Sequence, residues 1–204
     1  MLLEVINTPI KVIYWLIAFG ISLSVHEAAH AWMADRLGDP TAKLSGRLTL
    51  NPLAHLDPIG TLMLLFAGFG WGKPVPVDDF NLLHPRRDSG LISLAGPTAN
   101  LTLAVFLSLI FRLIYPSSFI SFLLLPIISL NVSWAIFNLL PVHPLDGSHV
   151  LVGFLPADTA ERVEQALEEY GLILLIFLVF PFFGESLAIK IISPIINFIL
   201  RLLV

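Results

Sequence analysis

The chain has 204 residues, 56% of them hydrophobic and 13% charged, with a formal net charge of −4 and no cysteine. Soluble domains run at about 45–50% apolar and about 25% charged, so a core of this size cannot hide the excess and lipid must cover part of it. The acidic balance argues against a nucleic-acid partner, and the lack of cysteine excludes disulfides and thiolate-held metals.

A first apolar helix is expected from about Pro9 to Leu37, stopped by Gly38 and by Asp39-Pro40. Its start resembles a secretory signal, with Lys11, an apolar run and Ala29-His30-Ala31 as a small-x-small site. Glu4 ahead of a single lysine weakens that reading. Thr41–Leu50 alternates through Arg47, Leu48, Thr49 and Leu50 around Gly46, which predicts a small β-hairpin or extended region at the membrane surface. Asn51-Pro52 then opens a turn. The apolar segment counted from Ile59 offers about a dozen residues, fewer than the ~20 of a spanning helix, so it tilts, re-enters or packs on protein. Gly68–Val77 holds three glycines and two prolines and cannot be a helix interior.

Gly90–Tyr115 and Phe119–Leu140 are the strongest spanning segments, joined at Pro116-Ser117-Ser118. Pro126 kinks the second or marks its true start. Pro141–Gly147 breaks the pattern again. Asp158 and Glu161 open a helix on which Val163, Ala166, Leu167 and Tyr170 share a face, leading into apolar Leu172–Phe183. Leu187–Val204 is a final apolar helix. The expected fold is an all-α polytopic membrane protein of about five to six membrane segments, with one extended region after the first helix.

His26-Glu27-Ala28-Ala29-His30 sits inside the first helix. The spacing puts two imidazoles at i and i+4 on one face, where they can share a metal, with a carboxylate one step around the cylinder. In a soluble chain this pattern is weak evidence. Here it follows Val12–Val25, whose polar groups are only Tyr14, Trp15, Ser22 and Ser24. Ionisable groups cost at least a few kcal/mol each in a membrane helix, so they need a partner such as a metal. The pattern points to a zinc hydrolase working inside a bilayer, and a catalytic zinc takes three protein ligands and an open position. Asp57, Asp78, Asp79, Asp146, His55, His84, His143 and His149 are the candidates for the third. Asp146 stands out because Pro144-Leu145-Asp146-Gly147 frees the backbone after a long apolar helix, and such backbone is tolerated at membrane depth only where it lines a site.

Together HEAAH (26–30), NPLAHLDPIG (51–60), GWGKPVPV (70–77), AGPTAN (95–100) and NLLPVHPLDG (138–147) resemble the site-2 protease family of intramembrane zinc metalloproteases. The resemblance covers nearly all of the chain to residue 150. It implies one Zn2+ per chain on His26, His30 and Asp146, Glu27 as catalytic acid/base, and Asn138 and His55 in the active-site lining. It also implies a minimal form without PDZ or CBS domain: one integral-membrane domain over 1–204, catalytic core about 9–155, C-terminal helices about 158–204. The substrate would be a membrane-embedded protein cut within a transmembrane segment, and the setting the cell membrane of a prokaryote.

Plainer roles stand beside these. Asp146 could cap the short helix after Gly147, since Asp is a favoured N-cap. His55 lies in a polar turn, where histidines are more often surface residues. His84, beside Pro85-Arg86-Arg87, reads as solvated near headgroups, and His143 and His149 as ordinary polar neighbours of Asp146. Asn100 follows Gly96 by four, a small-x-x-x-polar face whose default role is helix packing and whose second is in the site. Asn131 and Asn138 are seven apart on one face and should point inward. Lys73, with Pro74 and Pro76, is either an interfacial turn or an edge that holds an unwound substrate strand. An ion transporter would spread ionisable groups along several helices, a silent binding protein would tolerate loss of Glu27, and a di-iron oxygenase would want several His-rich boxes. Orientation depends on the short segment: if it re-enters, Arg36, Lys43, Arg47, Lys73, Arg86 and Arg87 share one face.

Overall fold

The computed structural model describes residues 9–67, 70–114, 118–182, 184 and 186–204. The expected turn at Pro116-Ser117 and the positions Gly68, Phe69 and Phe183 lie outside them. In chain order the helices are α1 (Pro9–Leu37), α2 (Thr41–Leu44), α3 (Pro58–Ala67), α4 (Pro85–Leu113), α5 (Ser118–Asn138), α6 (Asp146–Phe154), α7 (Ala157–Val179) and α8 (Leu187–Leu203).

Helix α1 has the expected limits. Gly38 takes φ of 109°, and the Asp39 N–H closes the end on Ala34 O at 2.9 Å. Helix α4 starts five residues before the expected Gly90, because Pro85 fits a first helical position and Asp88 Oδ2 accepts the His84 N–H at 2.8 Å. Pro97, Pro126 and Pro194 all lie inside helices.

Among the described residues, three helices are long and apolar enough to cross a membrane: Val12–Leu37, Pro85–Leu113 and Ile120–Asn138. Half of the first one's most apolar window is buried inside the protein against 22% for the third, so α1 is the inner helix. It packs on α4 and α5, α4 also holds α6, and α5 supports α8. Ala104, Phe111, Ile128 and Val132 form the core between α4 and α5, with Ile196, Ile199 and Leu200 of α8 against them. Helix α7 is polar and largely exposed in its first half, where only Val163 and Leu167 of the expected face are half-buried.

The hairpin expected over Thr41–Leu50 is not formed. Thr41–Leu44 is one helical turn, closed at Gly46 with φ of 71°, and no strand occurs among the described residues. The alternation misleads because Arg47 is the residue that turns inward: it is 5% exposed and donates to Lys73 O, while Leu44 and Leu50 stay exposed. Extended pairing appears elsewhere, as an isolated antiparallel bridge between Leu56 and Gly72, with the Lys73 N–H donating to His55 O at 2.8 Å. The stretches entering and leaving α3 are thus bonded to each other. With ten residues, α3 is about 15 Å long, half the ~30 Å hydrocarbon core.

Candidate metal centre

His26 and His30 lie on one face of α1 with their rings 4.5 Å apart, and Asp146 is brought to them as the first residue of α6. His26 Nε2 is 3.0 Å from Asp146 Oδ2, and His30 Nε2 is 3.5 Å from Oδ1. One ligand atom from each residue lies within 4.8 Å of the others, and this is the only such His/carboxylate trio among the described residues. Asp146 does not cap its helix: Leu145 is the N-cap and no side chain caps there. The carboxylate is delivered by the turn after α5, where Gly147 passes so close to Leu139 O and Leu140 O that a Cβ would stand 2.4 Å from each.

Gly96 of α4 performs the same service for the imidazoles. A Cβ there would stand 2.4 Å from His30 Nε2 and 2.7 Å from His26 Cε1. The AGPTAN stretch therefore packs against the metal-facing edges of the rings, not against a bare helix surface.

The donor chemistry can be tested against a bound cation. His30 Nδ1 is 2.7 Å from Ile92 O, and a carbonyl only accepts, so Nδ1 carries the proton and Nε2 faces Asp146 with a lone pair. Asp146 Oδ2 is buried and has no hydrogen-bond partner among the described residues. Two imidazole nitrogens and one carboxylate converging within 4.8 Å are the donor set that suits zinc.

The other residues sort clearly. Glu27, next around α1, is half-buried. Asn100 is fully buried, with Oδ1 2.6 Å from His26 Nδ1, so it touches the site and does more than pack helices. Asn138 donates back to Trp134 O at 3.0 Å in its own helix, and no bond to the metal trio is seen for it among the described residues. His55 is not a surface residue: it is fully buried, with Nε2 2.8 Å from Thr49 O, and it stands outside the trio. His84 is exposed at the N-cap of α4. His143 and His149 meet edge to face with ring centroids 6.0 Å apart, and Asp57, Asp78 and Asp79 likewise stay outside the trio. Lys73 spends both backbone groups inside the protein, its N–H on His55 O and its carbonyl on Arg47, so no free edge exists at that residue.

Sequence reasoning missed Gly96 as a metal-site residue, and also Trp134, whose ring packs on His26 and Phe19 with centroids 6.3 and 5.2 Å away. The only signal for Trp134 was its place between Asn131 and Asn138 on the inward face of α5.

No solved structure matches the chain. The profile of peptidase family M50 matches residues 114–181, a stretch that holds Asp146 but not the two histidines. "Putative zinc metalloprotease YwhC" of Bacillus subtilis is 39% identical over 90% of this chain and 86% of its own length. "Putative zinc metalloprotease Rip2" of Mycolicibacterium smegmatis is 32% identical over 79% of this chain and 64% of its own. "Putative zinc metalloprotease MJ0611" of Methanocaldococcus jannaschii is 29% identical over 67% of this chain and 68% of its own. The likeness to site-2 proteases read from the motifs is borne out at this level: the chain belongs to peptidase family M50.

Proposed function

We propose that the chain is a zinc-dependent intramembrane endopeptidase that cuts transmembrane segments of membrane proteins, as in regulated intramembrane proteolysis. The observation that carries this is the His26, His30 and Asp146 trio on α1 and α6, set beside Glu27 within helices apolar enough to cross a bilayer. His26 and His30 would hold the metal by Nε2 and Asp146 by its carboxylate. When bound, zinc supplies a Lewis-acid centre that polarises a peptide carbonyl and acidifies water. Asp146 brings a negative charge that offsets the dication in a low-dielectric setting. Glu27 takes the proton of the attacking water and passes it to the leaving nitrogen. Gly96 and Asn100 hold the imidazoles in place. A substrate helix must unwind before attack, since its amides are spent in i→i−4 bonds, and helix-breaking residues in the substrate therefore help.

The same reading makes the chain one multi-pass unit of the cell membrane, with the catalytic core over about 9–155 and further segments drawn from α7 and α8 to make five or six. Helix α3 re-enters, because its two flanks are bonded to each other and its length is half a bilayer core. Arg36, Lys43, Arg47, Lys73, Arg86 and Arg87 then share one face, and the positive-inside rule makes it cytoplasmic. Comparing membrane proteomes of cells carrying wild-type or Glu27→Gln protein tests the function. Fragments cut within apolar segments should appear only with the wild type. Equal fragments with both would end the proposal.

A further inference from the structure

The proton on His26 can be located by following hydrogen bonds inward from groups whose roles are fixed. Ile127 O and Ser22 O are backbone carbonyls and can only accept. The Asn131 amide nitrogen is 2.9 Å from Ile127 O and 2.8 Å from Ser22 Oγ, so both its protons are committed and its oxygen is left to accept. The Asn100 nitrogen lies 2.6 Å from that oxygen and 2.9 Å from Ser22 O, so both of its protons are committed too. Only the Asn100 oxygen remains to face His26 Nδ1 at 2.6 Å, and an amide oxygen cannot donate. Nδ1 must carry the proton, which leaves the Nε2 lone pair for the side of Asp146. Both amides are fully buried, so turning either one over would set oxygen against a backbone carbonyl without water to relieve it.

We infer that Asn100 is a positioning residue: its amide, held in one orientation by Asn131 and Ser22, fixes the tautomer and ring direction of His26 for metal binding. The inference rests on the metal-site reading above. Partners of this kind behind a ligating histidine are worth about 10–100-fold in metal affinity.

The test compares zinc affinity, by chelator competition on the full chain in detergent, for wild type and Asn100→Leu. Leucine keeps the bulk but offers Nδ1 no acceptor. Asn100→Leu should bind zinc about 10–100-fold more weakly. Wild-type affinity in that variant would make Asn100 a packing residue and overturn the inference. Should the Leu variant fail to fold, histidine-15N NMR of metal-free wild type at a pH where imidazoles are neutral decides: His26 protonated on Nδ1 supports the inference, and on Nε2 overturns it. That measurement needs no metal. The zinc content of the wild type tests the metal site separately.

Discussion

Replacing Gly96 with alanine sets two physical effects against each other. In a helix interior the change should stabilise by about 0.5–1 kcal/mol, because alanine loses less backbone entropy. The site says otherwise. The new Cβ would stand 2.4 Å from His30 Nε2 where ordinary contact begins at 3.4 Å, so the ring must retreat by 3.4 − 2.4 = 1.0 Å. His26 is pressed as well, at 2.7 Å from its Cε1. Metal sites tolerate about 0.2 Å in ligand distance. Misplacements near 1 Å cost on the order of 10²-fold in active sites. Gly96→Ala should therefore bind zinc about 100-fold more weakly, near 2.8 kcal/mol at 1.4 kcal/mol per tenfold. Both rings are buried and tied to Asn100 and Ile92 O, so the clash persists without metal. Overpacking of about 1–3 kcal/mol should outweigh the helix gain and lower the Tm of the zinc-free variant. Chelator competition together with Tm measured with and without zinc reads both effects. Wild-type zinc affinity in Gly96→Ala would refute the geometric argument.

Other perturbations separate metal ligands from structural groups. Asp146→Asn should weaken zinc binding and abolish most cleavage while leaving the fold intact, because Leu145 rather than Asp146 is the N-cap; unchanged zinc content would reject Asp146 as a ligand. His55→Ala should keep stoichiometric zinc yet lose about 1–3 kcal/mol of stability, since Thr49 O is left without its partner; zinc loss in that variant would put His55 in the metal site. Asp39 is buried and accepts from Thr41, the Asp78 N–H and Asn81; burial alone would raise its pKa, but these bonds prevail and lower it from 3.8. Its stabilising contribution is fully present above pH 3.8 and is lost as pH falls through the lowered folded value, and Asp39→Ala should flatten that acid limb of Tm against pH. An unchanged limb would assign acid unfolding to other groups.

The first helix was legible because its two signals are local: a 29-residue apolar stretch with Gly38 behind it, and histidines at i and i+4 within it. Asp146 was legible through the proline and glycine that free its backbone and through the resemblance carried by NLLPVHPLDG (138–147). Nothing in its own spacing told a ligand from a cap. Contacts between distant segments were not legible. Arg47 leaves an alternating pattern to reach Lys73 O, and that bond, 26 positions away, undoes the hairpin. His55 looks like a polar loop residue until the 72–73 segment and the turn at Thr49 close over it. Gly96 announced a close approach without saying to what. Asn100 and Asn131 announced inward polar groups, but their partner Ser22 reads in sequence as one serine among apolar residues of α1.

X-ray absorption at the zinc edge of the purified full chain, with metal quantified per chain, tests the central claim most directly. One zinc per chain is expected, bonded to two imidazole nitrogens at about 2.0–2.1 Å and to oxygen at about 2.0–2.2 Å, and absent from the His26→Ala/His30→Ala double variant. Zinc-free wild type, fewer than two imidazoles, or full zinc retained by the double variant would contradict the account.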